Sequence, residues 1–248
     1  MGEGGALAAA LAEGNNKAIA VLREKIGVTC GAVLYPLLDK VREHGDEEMS
    51  IRKANGLMNA ALTAVTNGAF QPAIDLFTNA HHVALLGSVN VSNGEEKEAA
   101  LRIVNTCRVY VAALRLNIQR KTTEPPRSLE MAALFAHFRL VPVHHLMACR
   151  AAMTAFYNAK KFSGAAYFAE IVRDSYPGNS VENRNARIIL QEAAANPDVD
   201  NSVTYTFPPD TNVCGVTYAI IPRGDPYVTC PVCNQAASPE YKNMVCPT

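Results

Sequence analysis

The sequence predicts a mainly α-helical protein, in which an irregular α-solenoid-like stack of helical hairpins precedes a small, zinc-ribbon-like C-terminal β module. Apolar residues recur at three- and four-residue steps through most of residues 1 to about 197, as they do on one face of a helix. After Asn196-Pro197, β-branched and aromatic residues and turn signals dominate, and four of the seven cysteines fall in the last 35 residues. We therefore expect a helical-hairpin domain over 1–200 and a small β module with four cysteines over 201–248.

The strongest helical pattern covers Glu95–Gln119. Its apolar residues share one face and arginines occupy the other, while Ser92 and Glu95 have the spacing of a capping box. Pro125-Pro126 ends any continuous helix beyond it. By the same criteria, the predicted helices cover 6–13, 17–26, 31–43, 50–66, 71–86, 95–119, 129–138, 143–158, 163–175 and 181–195.

Three of the connections between predicted helices share a pattern. Gly14–Asn16, Asn67–Phe70 and Ala159–Phe162 are each followed by an amphipathic helix with alanine near its start. A small residue at that place permits the close helix–helix approach of tetratricopeptide-type hairpins. Because the spacing is irregular, we predict a stack of hairpins and not a strict repeat array. An ordinary helical bundle with common hairpin turns is the alternative.

Two β-rich segments are predicted in the C-terminal module. Val203–Phe207 and Val213–Ile221 are rich in β-branched and aromatic residues, and Arg223–Pro226 has the composition of a turn. A module of under 50 residues with few large apolar side chains has little core of its own. Such a module needs another source of stability.

The four C-terminal cysteines are the strongest chemical signal. Cys214, Cys230, Cys233 and Cys246 are separated by fifteen, two and twelve residues. Two cysteines two residues apart on a turn can face one ion, and two more from separate strands complete a tetrahedron of thiolates. We predict structural zinc as the cofactor, with these four cysteines as its ligands. The alternatives are reduced cysteines packed against the helices, or a redox pair at the C-x-x-C motif.

The other titratable residues do not assemble an active site in the sequence. Cys30, Cys107 and Cys149 lie in helix-like or apolar surroundings, where a thiol behaves as a small buried hydrophobe. The adjacent pairs His81-His82 and His144-His145 point about 100° apart on a helix, a poor geometry for sharing a metal ion. We expect each of these histidines, like His137, to lie on a helix surface or to be hydrogen-bonded in the core.

Charge and hydropathy exclude several function classes. Lys+Arg and Asp+Glu both number 23, so the chain lacks the basic excess that binds phosphates or anionic membranes. No apolar run approaches the roughly 20 residues of a membrane span, and the N-terminus lacks the basic start of a secretory signal. No phosphate loop, dinucleotide fingerprint or nucleophile elbow is present. We expect a soluble intracellular protein that is not an enzyme.

The C-terminal motifs resemble those of one known family. Cys214 is followed by Thr217-Tyr218 and an I-P-R-G-D-P turn, and then come Cys230-Pro231, P-E-Y-K-N and a final cysteine. The coatomer alpha subunit has the same order at its C-terminal end: a cysteine, Ser/Thr-Tyr, I-x-R-G-x-P, Cys-Pro, P-E-F-K-G and a last cysteine. The C-x-x-C motif, however, is not kept by every member of that family.

Helical segments resemble the same family in the same order. The likeness extends from about residue 93 to 246, with a weaker match at 67–86. The segments and their family patterns are Thr106–Leu114 (I-C-R-E-Y-I-x-G-L), Leu129–Arg150 (A-A-Y-F-T-H…L-x-P-V-H), Lys161–Ala169 (K-N-F-K-T-A-A-T-F-A) and Asn196-Pro197 (K-N-P). We expect an excised C-terminal domain that lacks the family's WD-repeat propellers.

The resemblance implies a structural role and a partner. Coatomer alpha subunits belong to the coat of vesicles moving between Golgi and endoplasmic reticulum, and this domain binds the epsilon subunit, a tetratricopeptide protein. It implies contact with other coat subunits, no nucleic acid and no direct membrane insertion, in the cytoplasm and peripherally on Golgi membranes and coated vesicles. Two alternatives are a zinc-ribbon-bearing helical adaptor that binds ubiquitin or RNA, and an oxidoreductase that uses Cys230 and Cys233.

Overall fold

The structure, a computed structural model, confirms that the protein is mainly helical. It describes residues 50–88, 94–196, 203–208, 211–230, 235–244 and 246. The predicted helices before residue 44, together with Cys30, Ser92 and Cys233, lie outside these ranges. The described residues form seven α-helices: α1 Ile51–Thr66, α2 Phe70–Ser88, α3 Gly94–Arg120, α4 Arg127–His137, α5 Pro142–Asn158, α6 Phe162–Ser175 and α7 Val181–Ala195.

The chain divides into two compact units. The first contains the described residues up to Ala112 together with those from Thr211 onward, and the second begins at Ala113 and includes the segment 203–208. Helix α3 contributes its first part to one unit and its last turns to the other. The C-terminal module thus shares a compact unit with α1 and α2, and the domain boundary at residue 200 stays a prediction.

The first hairpin, α1–α2, ends its first helix in a Schellman turn. The Ala69 N–H donates to the Ala64 carbonyl and the Gly68 N–H donates to the Val65 carbonyl, at 2.9 Å each. Gly68 has φ +74°, a left-handed conformation that costs glycine little. Ala73 is fully buried near the start of α2, as the predicted close approach of the two helices requires.

The second hairpin, α5–α6, repeats this turn without a glycine. The Lys161 N–H donates to the Phe156 carbonyl and the Lys160 N–H donates to the Tyr157 carbonyl, at 3.0 Å each. Lys160 itself has φ +56°. Ala165 occupies the place of the buried alanine in the second helix and is fully buried. The shared pattern of these two connections in the sequence thus corresponds to one turn geometry.

The segment 203–208 corrects a prediction. We predicted a strand over Val203–Phe207, and this was wrong: the segment pairs with no strand in the described part of the chain. Its alternate side chains pack on helices of the second unit, with the Tyr205 ring 6.1 Å from that of Phe156 and the Phe207 ring 5.0 Å from that of His137. Alternation of apolar and polar residues does not distinguish a sheet from a helical surface as the packing partner.

The described residues of the C-terminal module form four two-residue strands. The prediction of one β segment over 213–221 was wrong in detail, because the chain turns back within it and the Cys214 N–H donates to the Ala219 carbonyl. The Gly215 N–H donates to the Ala236 carbonyl, which places the last strand between the first and the third. The strands are β1 Asn212–Val213, β2 Ile220–Ile221, β3 Val228–Thr229 and β4 Ala236–Ala237, with β1 antiparallel to β2 and β3 antiparallel to β4. The zinc-ribbon-like character of the module stays a prediction.

Candidate functional site

Cys214 lies at the end of β1 in the small core of the module. It is fully buried beside Ile221 and Ala236, and its Sγ accepts a hydrogen bond from the Ser238 N–H at 3.5 Å. Burial raises the pKa of this thiol, but hydrogen bonds from Thr217 and from the Ser238 and Val216 backbone outweigh it and lower the pKa to about 7. Cys214 is therefore prepared to carry the negative charge of a thiolate near neutral pH.

Cys230 follows β3 and is half-buried. Its N–H donates to the Gln235 carbonyl at 3.0 Å, so this residue pair closes the β3–β4 hairpin. Cys233, the other half of the C-x-x-C motif, falls in the four-residue connection outside the described ranges. Cys246 is half-buried as well.

Backbone hydrogen bonds place Cys214 and Cys230 on either side of β4. The Gly215 N–H, next to Cys214, donates to the Ala236 carbonyl, and the Cys230 N–H donates to the Gln235 carbonyl. Within the described ranges, no three His, Cys, Asp or Glu side chains form a group that could hold a metal. Since Cys233 is not among those residues, the four-cysteine ligand set stays a prediction.

His81 on α2 is buried, with only 3% of the residue exposed. Among the residues that the structure describes, neither ring nitrogen has a hydrogen-bond partner. Burial lowers the pKa of His81 to about 4, with Cys230 raising it and Arg108 lowering it as weaker influences. The imidazole is therefore neutral at pH 7. The sequence pattern predicted that this histidine lies on the surface or is hydrogen-bonded, and for His81 this was wrong. Whether a buried ring meets a hydrogen-bond partner depends on residues far along the chain, so the sequence pattern could not show it.

His137, His145, Cys107 and Cys149 lie among packed side chains of the helices. His137 lies in the second unit, with its Nδ1 2.8 Å from the Ala133 carbonyl and its ring stacked 6.1 Å from that of Tyr167. His145 Nε2 lies 3.5 Å from the Sγ of Cys149. Burial raises the pKa of both Cys149 and Cys107 to about 12. These thiols stay protonated near neutral pH, in agreement with their predicted role as small buried side chains.

In the described part of the module, the longest run of exposed residues is the connection between β2 and β3. We call residues 222–227 the β2–β3 turn, and all of them are exposed. The Asp225 N–H donates to the Pro222 carbonyl at 3.1 Å, and Gly224 adopts φ +97°. Tyr227 exposes 49% of its surface at the base of this turn. An ordered turn with an exposed aromatic side chain is suited to insertion into a groove of a partner.

None of the helices in the described ranges has the length and apolarity needed to cross a membrane.

Comparison with known proteins gives one consistent result. The family described as the C-terminus of the coatomer (COPI) alpha subunit matches residues 47–248. Coatomer subunit alpha-2 of Oryza sativa is 30% identical over 191 residues, which cover 76% of this chain and 15% of that protein. Coatomer subunit alpha of Dictyostelium discoideum is 27% identical over 199 residues, 77% of this chain and 16% of that protein. The match thus spans 15% to 16% of the length of these curated relatives.

Proposed function

Because this chain belongs to the family formed by the C-terminus of the coatomer (COPI) alpha subunit, we propose that it is a non-enzymatic interaction domain of the coatomer vesicle coat. In this role it binds the epsilon subunit and other coat subunits in Golgi–ER transport. The family match over residues 47–248 carries this proposal. The domain then acts in the cytoplasm, peripherally on Golgi membranes and coated vesicles. The family gives no support to the alternative of an adaptor for ubiquitin or RNA.

The β2–β3 turn supports a specific mode of binding. Tetratricopeptide proteins stack helical hairpins into extended concave surfaces, which bind segments that project from a partner. Residues 222–227 are suited to such a role, since all of them are exposed while the Asp225–Pro222 hydrogen bond holds their shape. A pre-ordered turn loses little conformational entropy on binding, so more of the contact energy contributes to affinity. The turn is therefore our proposed insert, with Tyr227 as its aromatic anchor.

Mixing the full chain with purified epsilon subunit tests the partner and the insert separately. We expect a complex in size-exclusion chromatography and a measurable heat in calorimetry. Tyr227→Ala should weaken binding about tenfold or more, as truncation of an aromatic anchor does. Met244→Ala is the matched control, because Met244 is 55% exposed in the same module but lies outside the turn. Absence of a complex refutes the partner, and equal affinities of the two variants refute insertion of the turn.

Zinc is part of the same proposal, as a structural ion. The strands of the module are two residues each and its core contains three buried residues, Cys214, Ile221 and Ala236, so the ion would supply much of the stability. Cys214, Cys230, Cys233 and Cys246 are its proposed ligands. Elemental analysis of protein never exposed to chelator tests this. Less than about a tenth of an equivalent of zinc would refute a structural ion, which must be present in nearly every molecule.

A further inference from the structure

Residues 203–207 have the side-chain pattern of a β-strand without a strand beside them. Val203 is buried and Tyr205 and Phe207 are half-buried, whereas the two threonines between them are exposed. This alternation with a period of two is what a strand with one buried face shows. All five residues are β-branched or aromatic, the types that strands favour. The segment thus has the sidedness and the composition of a strand, although it pairs with none in the described ranges.

The backbone of this segment is open to a hydrogen-bonding partner. Among the described residues, no backbone hydrogen bond joins residues 203–207 to the rest of the chain. Side chains hold the segment instead: the Tyr205 ring lies 5.7 Å from that of Tyr167, and the Phe207 ring lies 5.0 Å from that of His137. Unpaired N–H and C=O groups along a strand are a template for the addition of another strand.

The segment is complementary to itself. An antiparallel pair of two copies can be centred on Tyr205, and Thr204 then lies opposite the second copy's Thr206. On the inner face, Val203 lies opposite the second copy's Phe207. Threonine pairs and pairs of an aromatic with a β-branched residue are both favourable across strands, and no charged residue is present to repel its equivalent. Other registers pair fewer of the five residues or place a buried side chain opposite an exposed one.

We propose that this chain forms a symmetric dimer, in which residues 203–207 pair antiparallel with the same residues of a second copy. The contact is isologous, because a two-fold axis at Tyr205 relates the two strands. It goes beyond the proposed function and uses none of the residues assigned there to the epsilon subunit. Five residues on each side bury less than the about 1,200–2,000 Å² of a stable interface, so the dimer is weak and depends on protein concentration.

Sedimentation equilibrium of the full chain measures this association. We expect the average mass to rise from the 26.7 kDa of one chain towards twice that value between about 1 and 300 µM protein. A mass of 26.7 kDa at every concentration in this range overturns the proposal. If such a monomeric chain loses the epsilon subunit when both exposed threonines are replaced by lysine, the unpaired strand belongs to that partner and not to a second copy.

Charged substitutions at the two exposed threonines test the register. Thr204→Lys combined with Thr206→Lys puts lysine opposite lysine twice in the dimer, so the dissociation constant should rise at least about tenfold. Thr204→Lys combined with Thr206→Glu puts lysine opposite glutamate twice, and the constant should stay within about threefold of the parent. Both positions are exposed, so both variants should keep the circular dichroism spectrum of the parent. Equal dissociation constants of the two variants overturn the proposed pairing.

Discussion

Substitution of Gly164 by alanine tests the close approach of α5 and α6. Gly164 lies in the first turn of α6, and three carbons of the Phe156 ring lie within 3.0 Å of the place that a Cβ would take. The ring has little room to retreat, because it is fully buried between Phe168 and Tyr205, with ring centroids at 5.9 and 6.1 Å. Forcing a methyl group into a packed core costs about 1–3 kcal/mol. Higher helix propensity returns about 1 kcal/mol, so Gly164→Ala should lower the free energy of unfolding by up to about 2 kcal/mol.

Gly56→Ala is the matched control for this prediction. Gly56 is an exposed helical glycine in α1 with no atom within 4 Å of a built Cβ, so alanine should raise the free energy of unfolding by about 0.5–1 kcal/mol. Urea unfolding followed by circular dichroism at 222 nm measures both variants. Their opposite signs isolate the steric cost, since the gain in helix propensity is common to the two. Equal or greater stability of Gly164→Ala relative to Gly56→Ala would refute the close packing.

Three further predictions concern single side chains. Asn183→Asp should lower the free energy of unfolding by about 1–3 kcal/mol in urea, because the Nδ2 donates to the Arg173 and Tyr176 carbonyls at 2.6 and 3.0 Å and a carboxylate cannot; an unchanged midpoint would contradict this. Lys160→Gly should raise stability by about 0.5–1 kcal/mol, because φ +56° is strained for lysine, and a lower midpoint would count against it. Burial raises the pKa of Cys107 to about 12 from 9.0, so the folded state binds more protons between these values. The stability due to this thiol is thus complete below pH 9 and is lost as pH rises towards 12. In urea titrations at alkaline pH, Cys107→Ala should therefore flatten the fall of the free energy of unfolding with pH. A fall of the same slope in the variant would show that the thiol is not its source.

The sequence determined the helices of the described ranges and the family of the chain. Helix formation depends on near neighbours, so three- and four-residue periodicity placed α3 at Gly94–Arg120 where 95–119 was predicted. Local signals also determined helix ends: Ser50 and Ser180 accept hydrogen bonds from N–H groups three residues on, at 3.2 and 3.1 Å. Motif order along the chain led to the coatomer alpha subunit family without any knowledge of how the helices pack.

Tertiary structure alone decided which of these elements meet. The alternation of residue types in Val203–Phe207 shows which side chains are buried, but it does not show what they pack against. The sequence therefore could not distinguish packing on helices from pairing in a sheet. The surroundings of His81 also include residues more than one hundred positions away, since Cys230 acts electrostatically on its pKa. The spacing of the four cysteines likewise left open which strands would adjoin, and β4 separates Cys214 from Cys230. Contacts between distant residues form only when burial of the whole core offsets the entropy of closing long loops. Local sequence patterns do not predict that balance of free energies.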